Sequence, residues 1–167
     1  MRITIKELKK SDLPAFYALF KKAIFHDFKE YSPEMAKFQW KEHRRSKVLK
    51  ALREKSEIFF VAKNKEGELV AVLTTYPVFG GVACCNWLIV NEKFRGQGIG
   101  GKMLKFWERW AKKNRAHMLD LTCDRSKLGY YKKFGFVKYG YMKEGYCNEN
   151  NYLMCKKIGP WDPRNLE

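Results

Sequence analysis

Four glycines fall within six residues of this 167-residue chain, at Gly96, Gly98, Gly100 and Gly101, with Arg95 before them and Gln97 among them. Backbone amides without side chains, at the start of a helix and beside a guanidinium, can cradle a pyrophosphate. Leu88-Ile89-Val90 leads into the loop through Asn91-Glu92-Lys93-Phe94, and Lys102-Met103-Leu104 continues from it. The local order is therefore strand, anion cradle, helix.

Read as Gly96, Gly98 and Gly101, the loop is literally G-x-G-x-x-G, the dinucleotide fingerprint, with Asp120 at about the distance of a ribose-binding acid. That chemistry needs the glycines immediately after a strand of a doubly wound parallel sheet. Here Asn91 to Arg95 intervene, and the preceding strands are joined by turns too short for parallel crossovers. The dinucleotide reading fails on these grounds, which leaves a phosphate-bearing ligand of another kind.

The positioning elements can be read in chain order. Arg2-Ile3-Thr4-Ile5-Lys6 alternates as a strand. Ser11 or Asp12 caps a helix with Pro14 in its first turn, and Leu13, Phe16, Tyr17, Phe20 and Ile24 make its apolar stripe. Ser32 caps a second helix with Pro33 at its first position, expected to run to about Arg53 with Met35, Phe38, Leu49 and Leu52 inward. Strands follow at Ile58 to Ala62, Leu69 to Tyr76 and Val82 to Val90, turned by Asn64-Lys65-Glu66-Gly67 and Gly80-Gly81. A helix from the glycine loop to about Arg115 turns Ile99, Met103, Phe106, Trp107, Trp110 and Ala111 to one face. Then come a strand at His117 to Thr122, a short helix at Ser126 to Phe134 stopped by Gly135, and strands at Phe136 to Tyr141 and Tyr152 to Lys156.

A hydrophobic content of 46% and aromatic content of 16% call for one packed domain over residues 1–167. No apolar run is long enough to span a bilayer, and the alternating first residues do not form a signal peptide. Cys84, Cys85, Cys123, Cys147 and Cys155 are odd in number and lack C-x-x-C spacing, so free thiols in a cytoplasmic protein are expected, with no zinc site and no disulfide framework. Adjacent Cys84 and Cys85 point to opposite faces of a strand, which puts at least one in the core. The formal net charge of +16 is scattered along the chain, as on solvated helix faces that help steer an anionic ligand. A dedicated nucleic-acid surface is the lesser alternative.

Read as Arg95-x-x-Gly98-x-Gly100, the loop resembles the coenzyme A pyrophosphate motif of the GNAT acetyltransferase superfamily. The strand pattern before it, the later segment Gly129-Tyr130-Tyr131-Lys132-Lys133-Phe134-Gly135-Phe136 and the element order extend the resemblance over nearly the whole chain. It implies an α/β (α+β) GNAT fold: a mostly antiparallel sheet of six to seven strands flanked by about four helices, in the order β-α-α-β-β-β-α-β-α-β-β.

The resemblance also implies an acetyl-CoA-dependent N-acetyltransferase acting on an amine, without a metal, as a monomer or homodimer. Arg95, Gly96, Gln97, Gly98, Gly100 and Gly101 would hold the pyrophosphate, with Lys102 as a further candidate. The family's strand before the loop carries a bulge, so backbone groups of Leu88, Ile89 and Val90 would pair with pantetheine, and an amide near Ile89 or Val90 would face the thioester oxygen. Tyr131 matches the tyrosine that protonates the departing sulfur, and Tyr130 is assigned to packing. Asp124 falls where many members carry an asparagine near the pantetheine arm. The strand carries no carboxylate to act as general base, and Asn86 could orient a water but cannot take a proton, which leaves His26, Asp27, Glu30 and Glu34 near the first helix-helix connection, or an amine that arrives already neutral. A non-catalytic acyl-CoA sensor is the alternative from another class.

Overall fold

The computed structural model describes residues 1–166, apart from the side chains of Cys147 and Leu166. Seven strands are hydrogen-bonded in the order β1-β2-β3-β4-β5-β7-β6. They are β1 (Thr4–Glu7), β2 (Ile58–Lys63), β3 (Leu69–Thr75), β4 (Val82–Val90), β5 (Met118–Cys123), β6 (Val137–Met142) and β7 (Asn151–Lys157). The helices are α1 (Leu13–Lys22), α2 (Pro33–Glu42), α3 (Arg45–Glu54), α4 (Ile99–Lys113) and α5 (Leu128–Lys132). This is the mixed, mostly antiparallel architecture expected from the sequence. The residues group into two compact units, Met1–Thr74 with Trp87–Met103, and Thr75–Asn86 with Leu104 onward.

In the first unit, β1 pairs antiparallel with β2, and β3 is buried along its whole length. Leu13, Phe16, Phe20 and Ile24 of the predicted stripe join Phe59, Val61, Val72, Trp87 and Ile89 in one core, with Tyr17 packed against it. Ser32 caps α2 as expected, its Oγ accepting from the Met35 amide at 3.1 Å. The α1 cap differs. Asp12 turns its carboxylate back to the Lys9 amide (3.0 Å) and across to Lys63, because a short 3₁₀ turn at Lys10–Asp12 precedes the helix.

The single long second helix is corrected to two. The chain breaks at His43 and Arg44, where Arg44 is extended at ψ 153°. Helical geometry supplies the reason. Ala36 and Val48, both buried, would lie about 120° apart around one continuous α-helix, and the break lets each helix turn its own buried face inward. His43 fills the corner, its Nδ1 against the Gln39 carbonyl at 2.9 Å and its ring 4.9 Å from Phe20 and 5.7 Å from Trp87. The break also leaves Phe38, expected inward, 51% exposed.

In the second unit, β5 runs parallel to the first half of β4, from Val82↔Met118 to Cys85↔Leu121, and antiparallel to β7, which pairs with β6. Trp107 of α4 stacks on Phe136 at 6.4 Å and donates to Thr75 Oγ1 at 3.0 Å. Cys84 and Cys85 are both only half-buried, contrary to the expectation that one would be in the core. The reason is visible for Cys84, which shares its row with the carboxylate of Asp120. Among the described residues Cys84, Cys85, Cys123 and Cys155 are free thiols, and the side chain of Cys147 lies outside the described set.

Two hydrogen bonds reveal an irregularity in β4. The Tyr76 amide donates to the Cys84 carbonyl, and the Asn91 amide to the Val70 carbonyl. Six residue steps separate Val70 from Tyr76, and seven separate Cys84 from Asn91. One extra residue on the second strand is a β-bulge, which bends the strand and breaks its ladder. The family resemblance implied such a bulge on this strand.

Candidate active site

The predicted phosphate loop lies in the first unit. Ile89 is 2% exposed and its side chain belongs to the core, whereas Leu88 and Val90 are half-buried. After β4 the Asn91 side chain accepts from the Lys93 amide at 3.2 Å and starts a 3₁₀ turn over Glu92–Phe94. Arg95 is extended, and Gly96 and Gly98 take φ of +77° and +73°, the left-handed region that glycine occupies without strain. A Cβ at either position would meet nothing within 4 Å. These glycines therefore serve backbone conformation and leave open space over the loop.

The helix begins on this loop because the Lys102 amide bonds to the Gly98 carbonyl at 3.1 Å. The amides of Ile99, Gly100 and Gly101 precede that first intrahelical bond, which makes them the unsatisfied donors of a helix N-terminus. Gly100 and Gly101 are buried, and Gln97 is exposed. Open space, free amides and the positive end of a helix fit a pyrophosphate. Arg95 folds back, its Nε donating to the Val90 carbonyl at 3.0 Å and its Nη2 to Asp27 at 2.5 Å. The Lys102 ammonium donates to the Met1 carbonyl at 2.7 Å.

Of the residues weighed as bases, Asp27 is the ion-pair partner of Arg95. His26 and Glu34 are exposed, and Glu30 is half-buried. Nothing in the sequence pointed to the Asp27–Arg95 pair, whose members stand 68 residues apart.

The second unit holds the predicted acid. Asp124 accepts from the Ser126 amide at 2.7 Å, which caps the turn Arg125–Lys127 and aims α5. Burial alone would raise its carboxyl, but the hydrogen bonds from Ser126 and the Lys127 ammonium prevail and hold it below the usual range. Its observed work is thus to start the helix that carries Tyr131. At the other end Gly135 takes φ +85°, and the Phe134 and Phe136 amides both close on the Tyr131 carbonyl, at 2.9 and 3.3 Å.

Burial pushes the Tyr131 hydroxyl well above its ordinary value, and Cys85, Cys123, Tyr130 and Asp124 add to the shift. Its ring stands edge-on to Tyr130 and Phe136. Tyr130 and Tyr131 are both half-buried; the Tyr130 ring packs on Tyr131 and Phe134, with its hydroxyl pushed up to about 12 by burial, so Tyr130 packs as expected but is not in the interior. Cys85 and Cys123, the thiols beside Tyr131, were not singled out from the sequence. Only the register of β4 and β5 could have brought them forward. Asp120, the fingerprint's ribose acid, instead accepts a hydrogen bond from Tyr139. Asn86 is exposed.

No group of His, Cys, Asp and Glu among the described residues could hold a metal ion, and none of the described helices is long and apolar enough to cross a membrane. No curated protein sequence matches the chain. Solved structures do. The PaiA N-acetyltransferase of Thermoplasma acidophilum, in complex with coenzyme A, is similar at a TM-score of 0.76 and 20% identity, over 94% of this chain and 99% of that one. A ribosomal-protein-alanine N-acetyltransferase from Brucella melitensis matches at 0.72 and 19% over 92% and 99%. A spermidine N-acetyltransferase chimera from Vibrio cholerae matches at 0.73 and 15% over 100% and 99%. At these identities the likeness is one of fold. The sequence model of the acetyltransferase (GNAT) family matches residues 13–136. The chain belongs to the GNAT family of acetyltransferases, enzymes that use acetyl-CoA to acetylate amines.

Proposed function

We propose that the protein transfers acetyl from acetyl-CoA to a primary amine by direct attack in a ternary complex, with Tyr131 as general acid. The observation that carries the reading is a tyrosine on the family's tyrosine position, late in the short helix that the Asp124-capped turn leads into, with its hydroxyl held well above its ordinary value by burial. The thioester supplies the activated acyl group. The Ile99, Gly100 and Gly101 amides with Arg95 hold the pyrophosphate, and the backbone of Leu88, Ile89 and Val90 pairs with the pantetheine arm. An amide near Ile89 or Val90 serves the tetrahedral oxyanion.

Tyr131 then donates toward the departing sulfur. A thiol has a pKa of about 8.5 and a tyrosine of about 10, so a raised hydroxyl is a weaker acid still. Its contribution is a hydrogen bond that tightens as thiolate charge grows. The amine enters neutral, and no residue here is assigned as its base. The acceptors in the names of the similar proteins differ, a ribosomal protein alanine and spermidine, so none is carried over. The family match takes in residues of both units, which supports one catalytic domain over residues 1–167. Free thiols at the four described cysteines suit a reducing cytoplasm.

The test is a coenzyme A release assay over a panel of amines, with Tyr131→Phe alongside. The variant is expected to lose about 100-fold or more in kcat while binding coenzyme A as before. Coenzyme A binding without turnover of any amine would move the reading to an acyl-CoA sensor. An unchanged rate in Tyr131→Phe would remove the proposed acid.

A further inference from the structure

The loop arginine is held at two points. Arg95 Nε donates to the Val90 carbonyl at 3.0 Å, and Nη2 to Asp27 Oδ2 at 2.5 Å. The two ends of this ion pair differ in setting. The Asp27 side chain is 8% exposed and that of Arg95 46%. A carboxylate withdrawn from water so far is costly unless it is paired, which argues against an incidental surface contact.

The backbone is shaped to make the pair. Asp27 closes a π-helical turn, Ala23–Asp27, in which the Phe28 amide reaches back five residues to the Ala23 carbonyl at 3.0 Å. The widened turn holds one residue more than an α turn, and such turns recur at functional sites. It carries Asp27 to Arg95 while Ala23 and Ile24 stay in the core. A second pair, Lys22 with Glu92 at 2.6 Å, ties the same two segments together.

We propose that Asp27 is a positioning residue for cofactor binding: with the Val90 carbonyl it fixes the plane of the Arg95 guanidinium, and so presents its remaining N–H groups to the pyrophosphate. The inference rests on the acetyl-CoA reading. A guanidinium has five N–H donors in one rigid fork. Two anchors set the direction of that fork before any ligand arrives, so less freedom is lost on binding. Asp27 acts through Arg95 and does not touch the ligand, which removes it from the candidates for general base.

The test is calorimetric titration of coenzyme A into the wild type, Asp27→Asn, Arg95→Gln and the double variant, with thermal melts of each. Asp27→Asn is expected to weaken binding about tenfold, Asp27→Glu to recover part of that, and the double variant to bind no worse than Arg95→Gln. Effects of the two substitutions that multiply, or unchanged or tighter binding by Asp27→Asn, overturn the proposal and leave the acetyltransferase reading intact. If Asp27→Asn does not fold, Asp27→Glu and its pairing with Arg95→Gln carry the same comparison. Failure of the wild type to bind coenzyme A overturns the acetyl-CoA reading, and this inference with it.

Discussion

Tyr131 and Asp12 show one desolvation effect with two outcomes, since burial favours the protonated form of both groups. For Tyr131 desolvation is reinforced by nearby thiols and Asp124, so the proton stays on. The rate is therefore expected to rise with pH as the amine loses its proton, with no descending limb from Tyr131 below about pH 10, as a pH–rate profile would show. For Asp12 desolvation also raises the carboxyl, but the Lys63 ammonium and the Lys9 amide prevail and hold it below its usual range. A carboxyl depressed in the folded state adds stability above its unfolded pKa, and this is lost as pH falls through the folded one. Asp12→Asn is thus expected to cost about 1.5–3 kcal/mol near pH 7. Urea denaturation should show the gap to wild type closing below about pH 4, and a gap that persists there would contradict the assigned ion pair.

Among the elements, the stretch from β4 to α4 was the most legible, because each part is local. An apolar run, an Asx turn, glycines at positive φ and an amphipathic helix are written in adjacent residues, and β4 has the limits that its sequence announced. Gly98 offers a direct check. Since a Cβ there meets nothing within 4 Å, Gly98→Ala is expected to cost about 1–2 kcal/mol from the left-handed conformation alone. It should weaken coenzyme A binding more than Tyr131→Phe does, since it distorts the amides proposed to cradle the phosphates. A melt and a titration on the same sample test both halves. The α2–α3 break was harder to read. Lys41, Glu42, His43, Arg44 and Arg45 contain no proline or glycine, so nothing local ends the helix. It ends where buried His43 packs against Phe20 and Trp87, a contact that only the tertiary fold supplies.

The charge of the whole molecule is large and spread widely. Arg44, Arg45, Lys50, Arg53 and Lys55 are exposed on and beside α3, while Lys22, Lys63, Lys112 and Lys156 are spent on carboxylates. At physiological salt the screening length is about 8 Å, so scattered charges act on an incoming anion mostly through steering. Coenzyme A binding is accordingly expected to weaken as salt rises from about 0.05 to 0.2 M, while duplex DNA shows no stable complex at the upper value. Fluorescence anisotropy with labelled DNA tests the second part. A steeply salt-dependent complex that persists there would restore the nucleic-acid alternative.

By itself the sequence determined the succession of strands along the chain, the glycine turn into α4 and the family, since these rest on periodicity, turn chemistry and spacing within short stretches. Tertiary structure alone decided the break at His43, the capping work of Asp124 and the setting of Tyr131 beside Cys85 and Cys123. It also joined Asp27 to Arg95. The physical reason is the same throughout. A backbone conformation is chosen mainly by its neighbours in the chain, but the partner of a charge and the burial of a hydroxyl depend on residues that folding brings close. For the loop, that means the four glycines announced the turn into α4, and only the fold revealed that its arginine is held in place by a buried carboxylate.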